Sequence, residues 1–199
     1  TLLLSGRDPE WASKMDTLVD QGLLFDRSLL GLTPQGEPEI SMELSADLLS
    51  AEVSSTQSYV YAPFGQQSRR MALTETAVYR KGENRWLLAP PEAEFWGERL
   101  EIESEPLVVG YDERDAEFAL YFAERFERDL EMLCDGLETA VCPSTNSLQI
   151  HAIFTSTPDA LSNRAINAPI LAPTMQDSSR LFFPLPSPTL FGAPANQAS

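Results

Sequence analysis

The sequence predicts an α+β protein in which a helix packs on a curved antiparallel sheet and a smaller strand–helix–strand α/β unit follows. Three observations carry that prediction. Apolar residues recur at helical spacing over 11–19 and again over 119–133. Between these stretches the period falls to two across four successive segments, the mark of half-buried strands. An alternating strand pattern also stands on each side of the second helix.

The first helix announces its own start. Asp8 suits the N-cap, Pro9 the first helical position, and Glu10 the positive end of the dipole. Trp11, Met15, Leu18 and Val19 form one stripe, and Gly22 is the expected stop. A turn-rich link, Thr33-Pro34-Gln35-Gly36, leads to Ile40, Met42 and Leu44 alternating with Glu39, Ser41 and Glu43, read as a half-buried strand. Two longer strands follow, Glu52–Ala62 with Val53, Tyr59 and Tyr61 on one face, and Ser68–Arg80 with Met71, Leu73, Ala77 and Tyr79 on one face. Arg80-Lys81-Gly82-Glu83-Asn84 is a hairpin turn, and Arg85–Ala89 returns as a strand that Pro90-Pro91 ends.

The second half opens with a strand region, Leu100–Tyr111. Asp112 is then the expected cap of a long helix, with Asp115 completing a capping-box analogue. Ala119, Phe122, Ala123, Phe126, Leu130 and Leu133 make its apolar face, while Glu124 with Arg128 and Arg125 with Asp129 are spaced for ion pairs. Leu148, Ile150, Ala152 and Phe154 alternate as a strand, which the crossover rule places parallel to the one before the helix. Seven of the 15 prolines fall between Pro158 and Pro194, where Leu181-Phe182-Phe183 is the one strand candidate and Ser187–Pro194 reads as extended. The expected divisions are 1–97, 98–157 and a Pro-rich tail over 158–199 that looks truncated.

Charge narrows the functional classes. The chain has 14 Lys+Arg against 30 Asp+Glu, a net charge of −16, and 16 of the acidic residues lie within 92–138. Such acidity opposes binding to nucleic acid or to an anionic membrane surface. The acidic stretch itself reads as a solvated strand face and a solvated helix face, since calcium loops interleave Asp, Asn and Gly in a tight turn.

The order of helix and antiparallel meander in 1–91, closing on Lys81-Gly82-Glu83-Asn84-Arg85-Trp86 with a buried tryptophan, resembles the cystatin-like or NTF2-like fold. That resemblance implies a cone-shaped sheet whose mouth holds a small ligand or a dimer contact. Its enzymes place acid–base residues such as Asp and His inside the cone; here 1–91 has no histidine, and Glu75 is the one acidic residue midway along the inward face. The implied lining is Trp11, Tyr59, Tyr61, Glu75, Tyr79 and Trp86, although the aromatic members also suit a plain core. A second stretch is similar to the region ahead of the catalytic domain in bacterial membrane-anchored zinc metallopeptidases of the gluzincin (peptidase MA-like) kind. The residues that carry this likeness are Trp86-Leu87-Leu88-Ala89-Pro90-Pro91, Phe95-Trp96-Gly97 and Tyr111-Asp112-Glu113-Arg114-Asp115-Ala116. The chain has one histidine and no His-Glu-x-x-His helix, so by that likeness it would be the non-catalytic front portion.

No nucleophile elbow, P-loop or dinucleotide fingerprint occurs, and neither a metal site nor a cofactor is expected from two cysteines and one histidine. His151 reads as a partly exposed strand residue. Cys134 and Cys142 flank a loop, and a disulfide between them would place the chain outside the cytoplasm. The expectation is therefore a non-catalytic sensing, ligand-binding or partner-binding region, extracytoplasmic and tethered to a membrane through a part not in this chain. Its partner would be a small ligand or a protein, or a second copy in a homodimer. The alternatives are the ancillary part of a zinc metallopeptidase, or a small pocket enzyme using Glu75 or Glu52 as base.

Overall fold

A computed structural model of the chain describes residues 8–20, 27, 31–61, 67–136, 149–157, 174–177 and 180–194. The protein is α+β, with helices on two sheets, each five-stranded among the described residues. Helix α1 (Pro9–Asp20) precedes strands β1 (Leu32–Leu44), β2 (Ser50–Tyr61), β3 (Arg69–Lys81) and β4 (Trp86–Ala89), an antiparallel meander. A short helix α2 (Ala93–Trp96) leads to β5 (Arg99–Ser104) and β6 (Leu107–Asp112). A 3-10 turn (Glu113–Asp115) and helix α3 (Ala116–Gly136) cross to β7 (Gln149–Thr155), which pairs parallel with β6. Then come β8 (Thr174–Asp177), β9 (Arg180–Pro186), a short helix α4 (Pro188–Phe191) and β10 (Ala193–Pro194).

Helix α1 starts as its sequence dictates: the Trp11 amide donates to Asp8 Oδ1 at 2.9 Å. Met15 and Leu18 bury against Leu88 and Phe191, with Ala77 and Tyr79 packed alongside. Gly22 lies outside the described residues. The second core lies under α3, where Ala119 and Ala123 let the helix approach Leu107, Val109, Ala152 and Phe154. Burying a side chain such as Phe154 is worth about 1.5–3 kcal/mol, and the rings of Phe118 and Phe122 meet it edge-on at 5.6 and 5.8 Å.

Several expectations are corrected. Thr33–Gly36 is not a link but the bulged first part of β1, with the register broken between Gln35 and Glu39. That strand is not half-buried: Ile40 and Met42 are each 63% exposed, because β1 lies at the sheet edge beyond the reach of α1. The Leu100–Tyr111 strand region is a hairpin, β5 and β6, turning at the cis Glu105–Pro106 peptide. Asp112 makes no cap; it pairs with Arg99 at 3.1 Å, while Asp115 turns inward. Leu133 is exposed, since the last turns of α3 extend past the sheet, and of the two helix ion pairs only Arg125–Asp129 closes, at 2.9 Å.

The proline-rich end does more than run extended. β9 pairs with β7 in the second sheet, and β10 pairs with Leu73 and Thr74 of β3 in the first. Between them Ser187-Pro188-Thr189 opens α4 rather than a strand, a serine before a proline at the first helical position.

Candidate functional site

Glu75 sits on β3 between Leu73 and Ala77, on the face that α1 covers, and opposite Ser55 of β2. Its Oε2 accepts from Arg27 Nη2 at 2.5 Å, and both side chains are largely withdrawn from water. Burial pushes the Glu75 carboxyl above its ordinary range, and the Arg27 guanidinium pulls it part of the way back. Tyr79, four residues along and on the same face, is raised by burial and by the Glu75 charge. Beside the pair lies an apolar slot bounded by Trp11 and Met15 of α1, Leu88 of β4, and Leu190 and Phe191 of α4. Its volume is about 30 Å³, room for a water or two.

The expected lining set is therefore only partly assembled. Trp11 and Glu75 meet at the slot, and Tyr79 packs into the adjoining core. Tyr59 and Tyr61 belong to a different cluster, with Leu32, Leu73 and Met71. Trp86 is not the buried tryptophan expected; it is 37% exposed where β4 begins, opposite Lys81. Glu52, the other carboxylate considered as a base, is held by Arg114 through two bonds of 2.7 and 3.0 Å. The Arg114 guanidinium also lies 3.9 Å over the Phe95 ring, joining the first sheet to the α2 region.

A second buried carboxylate escaped sequence reasoning. Asp115 is 1% exposed, and its Oδ1 accepts from Ser187 Oγ at 3.0 Å, the Thr189 amide at 3.1 Å and Thr189 Oγ1 at 2.6 Å. It thus caps α4 from a distant part of the chain, in place of the side chain of Ser187. Oδ2 is buried, with no hydrogen-bond partner among the described residues. Burial raises the Asp115 carboxyl, against the pull of Thr189 and Ser187. The Ser-Pro-Thr helix start at 187–189 was the available signal.

His151 is half-buried on the sheet face away from α3, stacked on Phe182 with ring centroids 4.7 Å apart. Cys134 lies in the last turns of α3, and its expected partner Cys142 lies outside the described residues. Among the described residues no cluster of three or more His, Cys, Asp or Glu is arranged to hold a metal ion. No helix among them is long and apolar enough to cross a membrane. No family model, curated protein or solved structure matches this chain.

Proposed function

We propose that this chain is a non-catalytic, partner-binding region of a bacterial membrane-anchored protein, working outside the cytoplasm. One observation carries the reading: Glu75 is paired with Arg27 beside a cavity of only about 30 Å³, while a row of apolar side chains stands exposed on β1. A general base needs a free carboxylate within reach of a bound substrate, and a partner-binding surface needs exposed apolar contact. The order of helix and meander supports a cystatin/NTF2-like kinship for the first part, and a Cys134–Cys142 bridge would suit an oxidising compartment.

A second reading is the front portion of a zinc metallopeptidase. Favouring it, two of the segments that carry that likeness meet, with Arg114 lying over the Phe95 ring at 3.9 Å. The catalytic helix would then lie elsewhere in the parent.

Photo-crosslinking residues placed one at a time over both sheets of the parent protein, in cells that make it, test the first reading. Adducts with one protein from one bounded surface are expected. Absence of adducts from every face, together with a hydrolytic activity that Glu75→Gln abolishes while the variant keeps its cooperative urea transition, would overturn it.

A further inference from the structure

Among the described residues β1 has one strand neighbour, β2, and so forms an edge of the first sheet. The two parts of that edge differ. Leu32–Pro38 contains Pro34 and Pro38, Gly36 at φ +72°, and the break in register. Prolines and bulges are the devices that spoil an edge as a template for further pairing. From Glu39 to Leu44 there is neither, and pairing with β2 runs unbroken from Thr56 to Ala51.

The two faces of this open stretch also differ. Ile40, Met42 and Leu44 oppose Ser55, Val53 and Ala51, which in turn oppose Glu75, Ala77 and Tyr79. The row therefore continues the apolar face that α1 covers farther in, yet its members are 63%, 63% and 43% exposed. Glu39, Ser41 and Glu43 occupy the other face. Neither glutamate has an ion-pair partner among the described residues, and Glu52, opposite Glu43, is already taken by Arg114.

We propose that residues 39–44 of β1 accept an extended segment of a partner protein as an added strand, one whose side chains alternate between apolar and basic. Main-chain hydrogen bonds along the open edge supply affinity. The apolar side chains extend the row of Ile40, Met42 and Leu44, and the Lys or Arg side chains lie beside Glu39 and Glu43, where opposite charges stabilise neighbouring strands. A second copy of this chain fits less well. Antiparallel pairing of two β1 strands about Ser41 sets Glu39 against Glu43 of the copy twice, between molecules of net charge −16 each.

This inference deepens the partner-binding reading and rests on it. The probe is a short synthetic peptide of alternating Val and Lys, titrated against the whole chain by fluorescence anisotropy. The controls are an alternating Val/Glu peptide and a Val/Lys peptide of equal composition arranged in two blocks. The alternating basic peptide should bind at least about tenfold more tightly than either control, and salt should weaken it. The exposed substitutions Ile40→Lys and Met42→Lys should lower that affinity at least about tenfold while leaving the melting curve in place. Glu39→Lys with Glu43→Lys should turn the preference toward the Val/Glu peptide. Equal binding of the block peptide would mean general attraction to an acidic protein and would overturn the proposal, as would absence of binding or indifference to the variants. A dimer that Met42→Lys dissociates would identify a second copy as the occupant. Failure of the peptide with crosslinks from another face would remove strand addition and leave partner binding standing.

Discussion

Two buried carboxylates are used in opposite ways, and their variants should separate. Glu75 faces a guanidinium, so Glu75→Gln leaves the Arg27 charge buried without its counter-ion. Breaking one side of such a pair costs about 3–5 kcal/mol, and Arg27→Met combined with Glu75→Leu should restore most of it in urea unfolding. A single mutant as stable as the parent would mean that the pair contributes little. Asp115 faces hydroxyls and an amide, with no ion-pair partner among the described residues. Its folded pKa lies above the ordinary 3.8, so the folded state holds this proton to higher pH than the unfolded chain does. The stabilisation is complete below that ordinary value and is lost as pH rises through the raised one. Asp115→Asn should flatten the fall in stability over this window, measured as urea midpoints from acid to neutral pH; an unchanged slope would refute it. The sequence showed Glu75 on an inward face because strand alternation is strict. It hid Arg27 and Asp115, because their partners lie 48 and 72 to 74 residues away along the chain.

At the scale of elements, α4 carries more than its four residues suggest. Phe191 fills the space between α1 and β4, and Asp115 fixes the start of the helix. Phe191→Ala should therefore cost about 3–5 kcal/mol and loosen α1, read as lost amide protection around Met15 and Leu18. Stability unchanged within error would show that α4 merely rests on the surface. Helices α1 and α3, the meander and the parallel β6–β7 pair were legible, because period and caps are local signals. The exposure of β1 and the helical turn at 188–191 were not, since both depend on what else packs there.

Taken whole, the molecule is held together by its C-terminal segment, with β9 in one sheet and β10 in the other. A chain ending at Thr157 lacks these strands along with α4, and its loss should be felt in both sheets at once. Tryptophan emission, which reports Trp11 near the first core, and far-UV dichroism should both lose their sharp urea transition. Retention of a cooperative transition by that shortened chain would show that the first sheet stands alone. The junction also has a temporal meaning. Residues 32–89 form their meander early in synthesis, yet the strand that completes their sheet is made only at Ala193 and Pro194. Until those residues leave the ribosome, the apolar slot beside Trp11 stands open to water and to other nascent chains. Late closure of this kind exposes a growing polypeptide to misassembly, so this region should depend on a chaperone hold during translation more than a meander closed by a neighbouring strand would.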